Sequence, residues 1–334
     1  MTTLLAGDIG GTKTLLGLYS VEGTALIQKA SQRFVSADWA DFSALVNHFL
    51  DGEASCFERP RRACFAIAGP VRQGRVKLTN LPWLLDEVEL ARACQLEVLE
   101  LVNDFAVLIY GLPHLQPEQQ ATLRQPAAGG GDPKAPIAIL GAGTGLGVAI
   151  GVPTAGGLQA MASEASHGEF APCNEEQWQL KTWLMAEFGL PRLSIERVVS
   201  GTGLGDVMRW RLASHPDGRN HALMKTADTE LPAATAAAAA AGDPLARKAL
   251  DLWLEAYGSC AGDLALQSLC YGGLWLGGGT AGKLLDELRS ERFLGAFLNK
   301  GRLNAVVEQI PVHALIDSET GLFSAACRAR LLNA

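Results

Sequence analysis

Short apolar runs punctuated by glycine alternate along the chain with stretches whose apolar side chains recur every three or four residues. The first run, residues 4–6, ends in Gly7-Asp8 and leads through Ile9-Gly10-Gly11-Thr12-Lys13-Thr14 to a second run at 15–19. Two such runs joined by a glycine-bearing turn predict a β-hairpin. Further buried strands are expected at 63–68, 96–102, 137–140, 147–152, 274–276 and 311–316. Helical spacing covers 84–95, 104–112, 175–188, 244–269 and 281–298. Strands alternating with helices argue for an α/β protein. Residues 125–136, rich in Gly, Pro and Ala, read as a connection. The alanine stretch 233–241 reads as a surface helix, with high helix propensity and little to bury. No long-period repeat is apparent, although glycine-rich turns follow strands near residues 10, 143 and 278.

With 334 residues, a prior of about 150 residues per domain suggests two domains. Apolar residues at 48% and charged residues at 19% exclude disorder as the main state. A net charge of −7 gives no electrostatic reason to seek nucleic acid or anionic lipid. No apolar run approaches the ~18–20 residues of a membrane span. The start of the chain lacks a signal-peptide pattern, and the seven cysteines show no C-x-x-C spacing. The expectation is a cytoplasmic protein with reduced thiols.

Asp8 stands at a strand end before Gly10, Gly11 and Thr12, whose backbone N–H groups suit an oxyanion; Thr12 and Thr14 add hydroxyls and Lys13 a charge. The segment is either a phosphate cradle, with Asp8 holding Mg²⁺ through water, or an ordinary hairpin. The run from Gly141 to Gly147 lacks the final glycine of a dinucleotide fingerprint, since Leu146 stands there. A phosphate-facing turn at Gly143, Thr144 and Gly145 is preferred to NAD binding. From Gly277 through Gly278 and Gly279 to Lys283 the chain nearly matches a P-loop, but Leu284 replaces the hydroxyl residue that binds Mg²⁺. A turn on which a purine lies is expected instead.

Asp104, in Val102-Asn103-Asp104-Phe105, is either a helix cap or a general base, and locally the cap is favoured. Glu164-x-x-His167 would suit a metal on a helix, whereas Gly168 and the small neighbours favour a loop that hydrogen-bonds a polyol. Glu196, ahead of the glycine turn at 200–204, reads locally as a surface residue. His48, His114, His215, His221 and His313 lack recognisable partners, and Trp178, Trp183 and Trp253 fit helix packing.

Taken in order, Asp8-x-Gly-Gly-Thr12, Leu78-Thr79-Asn80-x-x-Trp83, Asn103-Asp104-Phe105, Gly141 to Gly147, Glu164-x-x-His167, Glu196-Arg197-x-x-Ser200-Gly201 and Gly277-Gly278-Gly279 closely resemble the bacterial glucokinase family. The likeness runs from near residue 4 to Ser324. It implies the actin-like, ribonuclease H-like ATPase fold, with two α/β domains around a cleft and a homodimer. The first domain is expected over 1–113 plus about 320–334, and the second over 114–319.

By the same resemblance the reaction is ATP-dependent phosphorylation of the 6-hydroxyl of D-glucose, with Asp104 as base. Asn103, Glu164, His167 and Glu196 would hold the other hydroxyls, and Asn80 would line the sugar site. Gly10 to Thr12 and Gly143 to Gly145 would hold ATP phosphates, Gly277 to Gly279 would approach adenosine, and Asp8 would position Mg²⁺. Ala165 and Ser166 stand where the family usually has glycines. No cysteine-rich zinc motif follows His167, which sets the chain apart from the repressor-and-sugar-kinase (ROK) group. The alternatives are a kinase for another hexose or with polyphosphate as donor, and a sugar sensor without turnover. Retention of the Asp104 carboxylate argues against the sensor.

Overall fold

The computed structural model describes residues 2–78, 80–127, 129–317 and 319–333. Thr79 of the Leu78-Thr79-Asn80 motif and Ala128 of the expected connection lie outside the described residues. By contact the chain forms two units, Met1–Gln116 with Pro153–Ala162 and Ser318–Ala334, and Pro117–Val152 with Ser163–Asp317.

The first unit carries β1 (Thr3–Ile9), β2 (Lys13–Glu22), β3 (Ala25–Val35), β4 (Arg62–Ile67), the short pair β5 (Arg75–Lys77) and β6 (Leu84–Asp86), and β7 (Val98–Asn103). Its main sheet has the order β3-β2-β1-β4-β7. The first three strands form an antiparallel meander, while β4 and β7 run parallel to β1. Leu5, Ile9, Ala63, Phe65 and Ile67 join Phe42 and Trp83 in one core. The alternate residues Leu4, Ala6, Cys64 and Ala66 join Leu322, Ala325 and Ala329 of the helix Thr320–Leu331 in another. Burial on both faces is why these strands read as continuous apolar runs.

Register brings Ile9, Ile67 and Asn103 side by side, so β1, β4 and β7 end level. Two bonds carry the ladder one residue further, Ala68 N–H to the Ile9 carbonyl at 3.1 Å and Asp104 N–H to the Ile67 carbonyl at 2.9 Å. The carboxyl ends of parallel strands are where open α/β sheets bind ligands.

The second sheet comprises β8 (Gln120–Arg124), β9 (Ile137–Ala142), β10 (Leu146–Thr154), β11 (Gly157–Ser163), β12 (Gly273–Gly277) and β13 (Val312–Leu315), in the order β11-β10-β9-β12-β13-β8. β9 pairs antiparallel with β10 and parallel with β12, which is parallel to β13. Five of its strands thus repeat the order of the first sheet. The weak echo of glycine turns near residues 10 and 143 marks equivalent hairpin tips. The core centres on the helix Pro244–Ser268, whose Trp253 and Tyr257 are fully buried. Trp253 donates to the Ser200 carbonyl at 3.0 Å and Tyr257 to the Leu140 carbonyl at 3.3 Å.

Several expected elements differ. The helix expected at 84–95 starts only at Glu87, because the Asp86 carboxylate accepts the Val88 and Glu89 N–H groups. The helix expected at 281–298 is three pieces, Gly279–Lys283, Leu285–Leu288 and Glu291–Leu298. The Ser290 hydroxyl donates to the Glu287 carbonyl at the second break, a local bond that competes with the helix. Residues 200–204 are not a glycine turn. They begin the helix Gly201–Ser214, capped by the Ser200 side chain on Gly203 N–H. The alanine stretch is helical over Leu231–Ala240, with Leu231, Thr235 and Ala239 buried. Among the described residues, no helix is long and apolar enough to cross a membrane.

Candidate active site

Asp8 sits near the end of β1, beside Ala66 of β4. Burial raises its carboxyl above the ordinary value, partly offset by Arg33. The turn that follows is pinned by Gly10 N–H on the Lys13 carbonyl at 2.9 Å and Ser36 N–H on the Thr12 carbonyl at 3.0 Å. Thr12 and Lys13 are exposed, but Thr14 is buried with its hydroxyl 3.0 Å from that of Ser36, so it is not a donor to a ligand. Asn80 lies against this turn, its Nδ2 3.4 Å from the place of a Cβ on Gly11.

At the end of β7 the cap is Asn103 rather than Asp104. Its Oδ1 accepts the N–H groups of Phe105 at 3.1 Å and Ala106 at 3.0 Å. Its Nδ2 donates to Asp104 Oδ1 at 3.0 Å and to the Gly69 carbonyl at 3.3 Å. An amide offers two donors and two lone pairs, and all four are engaged here. Asn103 is therefore not free to hold a sugar hydroxyl in this arrangement; it fixes Asp104. Burial, followed by the neighbouring Asp8 charge, pushes the Asp104 carboxyl up to about 6, against hydrogen bonds from the backbone and Asn103.

In the second unit three glycine-bearing segments meet. The β9–β10 tip is closed by Gly143 N–H on the Gly145 carbonyl at 2.8 Å. Gly201 N–H donates to the Gly143 carbonyl at 2.7 Å, and the Thr202 hydroxyl to the Thr144 carbonyl at 2.9 Å. The Thr280 hydroxyl donates to the Ala142 carbonyl at 2.7 Å. Gly278 has φ +81°, and a Cβ there would stand 2.5 Å from the Ala142 oxygen, so only glycine permits this approach.

Beside the tip, Glu196 Oε2 accepts the Leu146 N–H at 2.8 Å. A Cβ on Gly145 would stand 2.5 Å from that oxygen. Glu196 lies in the single 3₁₀ turn Ile195–Arg197, and His167 ends another, Ala165–His167. His167 Nε2 is 3.6 Å from Glu164 Oε2, and its Nδ1 is 3.9 Å from Glu196 Oε1. Both separations exceed hydrogen-bond range, so these groups keep capacity for a polyhydroxylated ligand. Glu169, the other carboxylate of this motif, is committed to Lys181 and Arg192. The sequence reading missed Arg192, since nothing marks an arginine 25 residues from the histidine as its neighbour. Among the described residues, no group of three or more His, Cys, Asp or Glu side chains could hold a metal ion.

Two sheets of like strand order, with glycine turns at equivalent hairpin tips, give the actin-like ATPase fold to which solved sugar kinases belong. The glucokinase family profile matches residues 5–332. A glucokinase of Nostoc sp. is 40% identical over 348 aligned positions, which cover 99% of this chain and all of the relative. The solved glucokinase of an Antarctic psychrotroph superposes with a TM-score of 0.86 at 30% identity, covering 99% of each chain. The glucokinase of Balamuthia mandrillaris, solved in complex with glucose, shares the fold at a TM-score of 0.75 and 22% identity, covering 98% of this chain and 94% of its own. The chain belongs to the glucokinase family of enzymes.

Proposed function

We propose that this enzyme transfers the γ-phosphoryl group of ATP to the 6-hydroxyl of D-glucose, with Asp104 as general base. The observation that carries this reading is the state of Asp104. It is a carboxyl fixed by Asn103 and pushed up to about 6, where a base is present at neutral pH yet strong enough to take a hydroxyl proton as phosphoryl transfer proceeds. Glu164, His167 and Glu196 hold the remaining hydroxyls, which suits a carboxylate–imidazole–carboxylate row with unspent hydrogen-bonding capacity. The turn at Gly10, Gly11 and Thr12 with Lys13, and that at Gly143 to Gly145, receive the phosphates, while Gly277 to Gly279 approach the adenosine. Asn80, beside Gly11, serves the phosphate turn as much as the sugar.

Asp8 and Asp104 are half-buried carboxyls close enough that one charge raises the other, an arrangement a divalent cation relieves. Asp8 would hold Mg²⁺ through water. When bound, the ion neutralises charge on the phosphoryl oxygens. The protein's own share is orientation: Asn103 aims the base, and the hydroxyl partners fix the hexose so that its 6-oxygen meets the phosphorus in line.

The test is a coupled assay of ATP-dependent glucose phosphorylation. Asp104→Asn is expected to lower kcat at least about a hundredfold while glucose KM stays within about threefold. A variant that kept most of its turnover would remove Asp104 from this role.

A further inference from the structure

The row Glu164–His167–Glu196 depends on two chain segments that are far apart in sequence. His167 opens the segment 167–170 and Glu196 follows 192–195. Backbone bonds stitch the two together: Phe170 N–H to the Leu193 carbonyl at 2.8 Å, Ile195 N–H to the Gly168 carbonyl at 2.9 Å, and a bridge between Glu169 and Ser194. Side chains add a clamp. Arg192 Nη2 donates to the His167 carbonyl at 2.7 Å while its Nε donates to Glu169 Oε2 at 3.1 Å, so one rigid guanidinium holds two residues of the loop. Lys181 Nζ fixes the other Glu169 oxygen at 2.6 Å and the Phe170 carbonyl at 2.9 Å. These two cations hold the Glu169 carboxyl below its ordinary range, so the pair stays charged at neutral pH.

Apolar packing anchors the two segments at Phe170 and Leu193, which are buried in the core, but it is thinner toward Ala165 and Ile195. A cavity of about 420 Å³ lies between this loop, the strands β9 and β10 and the helix Pro244–Ser268, with Leu146, Val148, Ala165, Ser166, Ile195 and Leu264 among its walls. Between those apolar anchors and His167, the loop borders open space where a core element would have contacts, so polar bonds carry more of its placement there. We infer that Arg192 and Glu169 are a positioning pair that sets where His167 stands relative to Glu196, and thereby how tightly glucose is held. The inference rests on the sugar-binding reading of His167 and Glu196.

The pair is a poor stabiliser of the fold. Arg192 and Glu169 side chains are 55% and 47% exposed, and ion pairs at such sites contribute little to stability. Their loss should appear in substrate affinity rather than in melting temperature.

Arg192→Met, which keeps the apolar stem and removes the fork, is expected to raise glucose KM about tenfold, with kcat within about twofold. KM for ATP and Tm should stay at the wild-type values. Glu169→Gln should follow in the same direction. Arg192→Lys should recover part of the loss, because one ammonium can reach one of the two acceptors but cannot span both. Glu196→Gln is measured alongside. If Glu196→Gln raises glucose KM and Arg192→Met leaves it unchanged, the positioning pair is overturned and the sugar site stands. If neither changes it, the sugar site fails and the pair with it. A fall in Tm with both KM values rising together would make Arg192 a structural residue and overturn the inference.

Discussion

Asp104 is expensive to keep. A carboxyl whose folded-state pKa of about 6 lies above its reference value of 3.8 binds more protons folded than unfolded between those values. Its contribution to stability is therefore lost as pH rises from about 4 to about 6, and stays lost above that. Replacing it by Asn, which keeps an oxygen for the Asn103 amide, should stabilise the protein at pH 8 by about 2–3 kcal/mol at most, with the gain fading toward pH 4. Urea unfolding at the two pH values measures this; equal stability of wild type and Asp104→Asn at pH 8 would mean that the carboxylate is not penalised by its surroundings. The same site shows a limit of sequence reading. Two adjacent side chains, Asn103 and Asp104, are both good caps, and a one-residue difference in where β7 ends decides which one accepts the N–H groups of the next turn. That register is set by pairing with β4, which the local sequence does not display.

Under the proposed reaction the hairpin tip Gly143–Gly145 would tie the nucleotide and sugar sites together, because the residue after it donates to Glu196. Gly145→Ala would place a methyl 2.5 Å from Glu196 Oε2. The carboxylate must move, so glucose KM is expected to rise by about tenfold or more, as measured in the coupled assay. An unchanged KM would free Glu196 from sugar binding. Elements buried on both faces were legible as apolar runs: β1, β4, β9 and β12 all fall where such runs lie. The edge strands β3, β8 and β11 were not, because exposed positions interrupt their apolar residues and the pattern resembles a loop. Likewise, the periodicity over 281–298 is real in each piece, yet does not reveal the breaks between them. The residues of the row Glu164–His167–Glu196 were legible through the family resemblance. The Arg192 clamp was not, since it depends on a contact across 25 residues.

Across the whole chain the repeated unit is a topology rather than a sequence. Each main sheet has three consecutive hairpin-linked strands followed by two parallel ones, and in each a glycine turn joins the first two strands. Side chains differ between the copies, so the repeat surfaces in the sequence only as turns at equivalent places. The division of labour follows. The first copy carries the carboxyls Asp8 and Asp104 at the ends of its strands, and the second carries Glu164, His167 and Glu196 with the convergent glycine segments. The net charge of −7 offers no general attraction to anionic ATP, so under the proposed reaction the donor is held by local turns and dipoles rather than by the field of the molecule.

The pH dependence of kcat/KM for glucose tests the central claim most directly, because it reports groups of the free enzyme. With Asp104 as base, kcat/KM should fall tenfold per pH unit below about 6, and the limb should persist in a His167→Gln variant, which removes the imidazole of the site. A profile flat down to pH 5, or a limb that vanishes with His167, would contradict the account.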